Sequence, residues 1–290
     1  MKLPAFDYAA PATLAEALDL LERHGGDARP LAGGQSLMPV LAFRLAQPSM
    51  LVDIGRIPGL DGIVIDGDGV RLGARVRWCD ILEHPALRDA HPLLVEAIGH
   101  VAHYPIRNRG TVGGSLAHAD PAAEMPGIAY ACEATMVIAG KAGTRLVPAC
   151  DFFTGPLETV IGPAELLVEV RLPAWPAARR WGFEEFARQR GAFALAAVAA
   201  FFDERDGLAS GVHLGLIGAT GRVQRLPAAE AALEGRTVDP AGIAAAVAAA
   251  RGEIDPPDDA EASSAYRRSL VGTMVGRALA AAAARDRTTT

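Results

Sequence analysis

Residues 105–116 read Pro105-Ile106-Arg107-Asn108-Arg109-Gly110-Thr111-Val112-Gly113-Gly114-Ser115-Leu116. A glycine pair and a serine open an apolar segment here, and the pattern has a counterpart far upstream in Ala32-Gly33-Gly34-Gln35-Ser36. Glycine lets a backbone approach a ligand closely and adopt positive φ. Amides at a helix start, with a serine hydroxyl beside them, make a seat for anionic oxygens. Two such loops from distant parts of one domain suit the two phosphates of a dinucleotide. A single Gly-Gly-Ser is equally a plain turn, and with 31 glycines such pairs also arise by chance. Neither loop has the spacing G-x-G-x-x-G or G-x-x-x-x-G-K-[ST], which disfavours a Rossmann site and a P-loop.

Outward from these loops the chain alternates helix and strand signals. Thr13-Leu14-Ala15-Glu16 is a capping box, and Leu14, Ala17, Leu18 and Leu21 repeat at helical spacing up to Gly25-Gly26. Strands are expected over 29–32 and 51–54, with a helix capped by Ser36 between them. Paired strands are expected at 62–65 and 70–73, helices at 79–84 and 93–101, and strands at 134–139, 144–147 and 166–172. Asp120 reads as the N-cap of a helix running to about Ala131, with Pro121 at its first position and Glu124 in its first turn. Two prolines in Pro173-Ala174-Trp175-Pro176 mark a linker. Beyond it, strands are expected at 181–186, 195–202 and 212–217, with 203–207 as a hairpin turn. Helices follow at 228–233, 243–251 and 264–284. The last of these aligns Tyr266, Leu270, Val271, Met274, Val275 and Leu279 on one face. Residues 253–261 form an exposed acidic loop, and the tail from Arg285 to Thr290 is expected to fray.

Composition narrows the function. The chain has 290 residues, enough for about two domains. Its net charge is −6, and its 28 basic residues are scattered, which removes a general case for nucleic-acid binding. The longest apolar run, 192–202, is far short of the roughly 20 residues of a membrane span. The first residues carry no apolar signal core. Cys79, Cys132 and Cys150 are odd in number and far apart, with no iron–sulfur spacing; each reads as a small buried side chain in a reducing cytoplasm. His100, His103 and His118 lack metal-ligand spacing, and no nucleophile elbow occurs, so neither a metal nor a catalytic residue is assigned.

The two loops in their longer context resemble the FAD-binding medium subunits of molybdenum hydroxylases. The likeness rests on Phe6-Asp7-Tyr8, on 31–39 and 51–54, on 105–115, and on the stretch from Leu116 to Pro126. It spans the chain nearly end to end. The resemblance implies an α+β fold: a two-subdomain, PCMH-like FAD-binding domain at 1–175, divided near 57, then a smaller C-terminal domain of antiparallel sheet and helices at 178–285, and a tail at 286–290.

The resemblance also implies roles. Ala32, Gly33, Gly34, Gln35 and Ser36, with Thr111, Val112, Gly113, Gly114 and Ser115, would hold the pyrophosphate and ribityl region of FAD. Ile106 would pack near the flavin, and Glu124 would supply an acid contact. Phe193 would lie against the isoalloxazine, or else be a core strand residue. Ser115 stands where many relatives have Asn, and Ala192 where Asp is frequent. Molybdopterin and iron–sulfur clusters would belong to a large and a small partner subunit. This chain would pass electrons to an external acceptor. A stand-alone FAD-dependent oxidase and a non-catalytic nucleotide-binding scaffold are the alternatives.

Overall fold

The computed structural model describes residues 2–285; the expected tail at 286–290 lies outside the described residues. The first unit is a small parallel sheet of β1 (Asp7–Ala9), β2 (Ala28–Leu31) and β3 (Met50–Asp53) in the order β1-β3-β2. It is covered by α1 (Leu14–His24), and α2 (Leu37–Ala42) follows β2. The capping box of α1 forms as its sequence dictates. Thr13 Oγ1 accepts from the Glu16 amide at 3.2 Å, and the Glu16 carboxylate accepts from the Thr13 amide at 3.3 Å. Ala17, Leu18 and Leu21 then bury one face of α1 against Val52 and Ile54. β1 escaped the sequence reading because three residues carry too little alternation to register.

The second unit is an antiparallel sheet in the order β4-β5-β10-β6-β7. Its strands are β4 (Ile63–Asp66), β5 (Gly69–Gly73), β6 (Thr135–Gly140), β7 (Gly143–Pro148) and β10 (Leu166–Pro173). Between β5 and β6 run six helices: α3 (Trp78–Glu83), α4 (Leu87–Ala90), α5 (Pro92–His100), α6 (Tyr104–Arg107), α7 (Val112–His118) and α8 (Glu124–Ala131). A short helix α9 (Ala149–Phe152) and the small ribbon of β8 (Phe153–Gly155) and β9 (Glu158–Thr159) precede β10.

The third unit is the antiparallel sheet β11 (Arg180–Phe186), β12 (Ala196–Arg205), β13 (Leu208–Ile217) and β14 (Gln224–Arg225). It is backed by α10 (Pro227–Ala231), α11 (Pro240–Glu253) and α12 (Ser264–Ala284). Period-two alternation sends β12 side chains to two different cores. Ala196, Val198, Ala200 and Phe202 pack with Leu270, Met274 and Leu279 of α12. Ala197, Ala199 and Phe201 join a core with Ile98, Leu116, Ile128 and Ile138 of the second unit. That shared core is tight: a Cβ on Gly127 of α8 would stand 2.1 Å from Cγ1 of Ile217.

Several expectations are corrected. α8 starts at Glu124 with Ala123 as N-cap, and Asp120 instead accepts from the Ala122 amide at 2.9 Å in a preceding turn. Ser36 makes no side-chain cap on α2. Tyr266 is 46 % exposed; the buried position beside it is Arg267, which pairs with Asp259 at 2.8 Å and so fastens the acidic loop. The hairpin turn narrows to Asp206-Gly207 because β12 runs on to Arg205. Only Cys132 of the three cysteines is buried, while Cys150 is exposed and Cys79 lies between. Arg285, expected to fray, donates to the Trp181 carbonyl at 2.8 Å and covers its ring.

The linker is not slack. Trp175 lies 4.5 Å from the His91 ring and 5.2 Å from Phe201, with the Arg179 guanidinium 5.0 Å above both Trp175 and Phe201. Arg179 is itself held by a two-pronged pair to Asp203 at 2.9 and 3.0 Å.

Candidate functional site

The two glycine loops meet. A Cβ on Gly33 would stand 2.0 Å from the carbonyl oxygen of Arg109, so the first loop lies directly on the backbone that leads into the second. Gly34 holds φ +71°, a left-handed conformation that turns the chain from β2 towards α2. The Gln35 side-chain amide closes the loop by donating to the Gly33 carbonyl at 3.0 Å. The second loop is stitched to the segment before α3. The Val112 amide donates to the Val76 carbonyl at 2.9 Å, and the Gly113 amide to the Ala74 carbonyl at 2.8 Å. Thr111 caps α7, its Oγ1 accepting from the Gly114 amide at 3.1 Å.

The loops are therefore not equivalent, as their matching sequences suggested. Every amide from Val112 to Ser115 is spent inside the protein. The amides of Gly34, Gln35, Ser36 and Leu37 form no hydrogen bond among the described residues. The first loop supplies a run of donors; in the second, Thr111 is buried with its hydroxyl engaged in the cap, and Gly114 and Ser115 are the residues left partly accessible. All five residues from Ala32 to Ser36 are half-buried, as are Gly114 and Ser115, so both loops keep part of their surface accessible. A diphosphate suits amides of this kind, which have no partner within the protein and stand beside a second loop of small residues.

Comparison with known proteins gives the family. The family described as FAD binding domain in molybdopterin dehydrogenase matches residues 4–175, and the CO dehydrogenase flavoprotein C-terminal domain matches 181–282. The chain belongs to the FAD-binding medium subunits of the molybdenum hydroxylases. It is 40 % identical to the nicotine 6-hydroxylase medium subunit of Paenarthrobacter nicotinovorans, over 98 % of this chain and 100 % of that one. It is 37 % identical to the carbon monoxide dehydrogenase medium chain of Hydrogenophaga pseudoflava, over 97 % and 98 %. Among solved structures, carbon monoxide dehydrogenase of the same organism superposes with a TM-score of 0.94 at 39 % identity, covering 97 % and 98 %. Quinoline 2-oxidoreductase of Pseudomonas putida 86 gives 0.93 at 39 % identity, covering 98 % of each chain.

In this medium subunit Ile106 is half-buried in α6, one turn ahead of the second loop. Arg107, which follows it, donates to the Val101 and Ala102 carbonyls at 2.9 Å and so braces its own loop. Glu124 is buried at the start of α8; burial, with the charge of Asp120 adding to it, pushes its carboxyl up to about 7. Phe193 is 60 % exposed and lies before β12, which overturns its reading as a core strand residue.

Sequence reasoning did not single out Glu185, a buried carboxylate. It shares a face of β11 with Trp181 and Phe183, which enter the shared core, and its side chain is 5 % exposed. That alternation was the available signal: a carboxylate two residues past a buried aromatic, in a strand. The three histidines do not converge. His100 ends α5 near Glu185, His103 immediately precedes α6 without a side-chain cap, and His118 ends α7. No helix among the described residues is long and apolar enough to cross a membrane.

Proposed function

We propose that this chain holds one FAD, without a covalent bond, between Ala32–Ser36 and Thr111–Ser115, and serves as the electron-exit subunit of a molybdenum hydroxylase. Its partners in this reading are a small iron–sulfur subunit and a large molybdopterin subunit, and an external acceptor takes the electrons. The observation that carries it is the row of unpaired amides from Gly34 to Leu37, facing a loop whose own amides are all satisfied. Such a row binds phosphate oxygens without needing a basic side chain. FAD supplies two-electron redox chemistry when bound.

The residues of this chain bind and orient. The first loop holds the diphosphate by its amides. Thr111 fixes the second loop from within, and Ser115 is the hydroxyl of that loop that keeps partial access. Ile106 gives an apolar contact ahead of the loop, Glu124 an acid, and Phe193 an exposed ring beside the strand that follows. Three separated cysteines cannot ligate an iron–sulfur cluster, so hydroxylation of an organic substrate belongs to the partners.

The test is reconstitution. The purified chain is expected to carry a flavin spectrum, to release all colour on denaturation, and to be bleached by dithionite. Alone it should oxidise no heterocycle, aldehyde or carbon monoxide; with both partners it should pass electrons to a dye. Substrate-dependent bleaching by the metal-free isolated chain would favour the stand-alone oxidase, and absence of flavin uptake would favour the scaffold.

A further inference from the structure

A cavity of about 500 Å³ opens between α3–α5 and the segment that follows β11. Glu185, His100, Glu96, Arg88, Gln189 and Arg190 line it. Its size is that of a small-ligand pocket. The segment lies directly on the approach to the second glycine loop: a Cβ on Gly191 would stand 2.5 Å from Cε1 of His103 and 2.9 Å from the Ala102 carbonyl oxygen. Residues 102–103 lead straight into α6 and Ile106.

Glu185 is the unusual member of this wall. Its Oε2 is fully enclosed and has no hydrogen-bond partner. Its Oε1 lies 4.0 Å from His100 Nδ1, beyond hydrogen-bond reach. A buried carboxyl oxygen without a partner is costly, and a ligand group that supplied one would remove that cost. Buried Glu124, the acid at the start of α8, acts electrostatically on Glu185. Burial first, and the Glu124 charge second, push the Glu185 carboxyl up to about 8. At neutral pH it therefore keeps its proton and presents a hydroxyl donor beside a carbonyl acceptor. The charged groups around it are Glu96 and His100 from α5, Arg88 from α4, Arg190 from the covering segment and Glu124 from α8.

We infer that Glu185 is a cofactor-contacting residue, its hydroxyl and carbonyl pairing with the imide edge of the flavin ring, where an N–H lies between two carbonyls. The inference rests on the FAD reading above and adds to it the place of the ring end. Donor matches carbonyl and acceptor matches N–H, so the pairing is lost in part when the carboxyl ionises and loses its donor.

The full-length chain, stripped of flavin, is titrated with FAD by fluorescence quenching from pH 6.5 to 9.5. Wild type should weaken by about tenfold as pH rises through 8, the loss of roughly one hydrogen bond. Glu185→Gln keeps a donor beside an acceptor without titrating; it should bind within about threefold of wild type at pH 7 and lose the weakening around pH 8, while any change near pH 7 that comes from Glu124 persists. Glu185→Leu should bind FAD about ten- to a hundredfold more weakly. Without FAD it should melt no lower than wild type, because it removes an unsatisfied group; a purely structural role would predict the reverse. Wild-type affinity in Glu185→Leu, or an unchanged pH profile in Glu185→Gln, would overturn the inference. Should Glu185→Leu fail to fold, the profile of Glu185→Gln decides. If wild type takes up no FAD at any pH, it is the FAD reading that has failed.

Discussion

Gly33 faces the backbone of Arg109 so closely that the Arg109 carbonyl oxygen is 2.0 Å from where a Cβ would stand. The first loop thus depends on a missing side chain for its contact with the second. Gly33→Ala is expected to cost about 3 kcal/mol, because the obstacle is main chain and cannot rotate away. Gly34→Ala should cost about 1 kcal/mol, through its left-handed φ. Gly62→Ala, with open space around it and an ordinary φ, is the control. Urea titration ranks the three, and a Gly33→Ala chain as stable as the control would break the argument that the loops are locked together.

His91 gives an acid limit to stability. Its ring is buried, its Nδ1 accepts from the Leu94 amide at 3.2 Å to cap α5, and burial pushes its pKa from 6.5 down to about 3. The unfolded chain takes up a proton near pH 6.5 that the folded chain refuses until about pH 3. Stability from this site is therefore present above 6.5 and lost as pH falls through that window. His91→Asn keeps a capping oxygen and does not titrate. Between pH 7 and 4.5 the wild type should lose about 2 kcal/mol more than His91→Asn in denaturant unfolding.

Glu124 works in the opposite direction. Its folded value of about 7 lies above the 4.5 of the free side chain. Its contribution is whole below pH 4.5 and disappears as pH rises through 7. In the flavin-free chain, Glu124→Gln should flatten the stability profile between pH 5 and 7.5 by on the order of 2 kcal/mol. Parallel profiles for the two chains across that range would refute a buried, protonated Glu124.

Trp175 ties the linker to both sides, with His91 at 4.5 Å and Phe201 at 5.2 Å. Trp175→Ala should cost about 2 kcal/mol, less than a fully buried tryptophan because the ring is half-buried. Calorimetry of the wild type should show one transition, since the units share a core. Two resolved transitions in the wild type would mean that this core is not the coupling element.

Much of this was legible in sequence, for local reasons. Thr13 and Glu16 announce α1 by themselves, and the pairing of β12 with β13 follows from two apolar runs around a polar turn. The likeness of the glycine loops gave their shared location but concealed their difference. Which amides are spent depends on Ala74 and Val76, remote residues that no local pattern names. α7 went unseen because Gly113 and Gly114 are poor helix formers, and their place in a helix is secured by the Thr111 cap and by burial of Val112 and Leu116. Asp120-Pro121 looked like a helix start because an acid before proline satisfies the rule; the chain spends that signal on a turn and begins α8 at Glu124. Glu185 demanded knowledge of which face of β11 meets the second unit, and that is settled only by the fold.

The face of the third sheet that carries Ala197, Ala199, Phe201 and Ile217 is finished by side chains that come earlier in the chain than the linker. The proline-marked seam at 173–178 looks like a place to cut, yet a cut there divides an interior rather than separating two surfaces. A shortened gene ending at the seam would leave α8 and its neighbours wet, and one beginning there would make a sticky sheet. Exchange of parts between relatives at this seam would succeed only where the incoming half bears a matching imprint. Each half therefore serves as the other's interior wall.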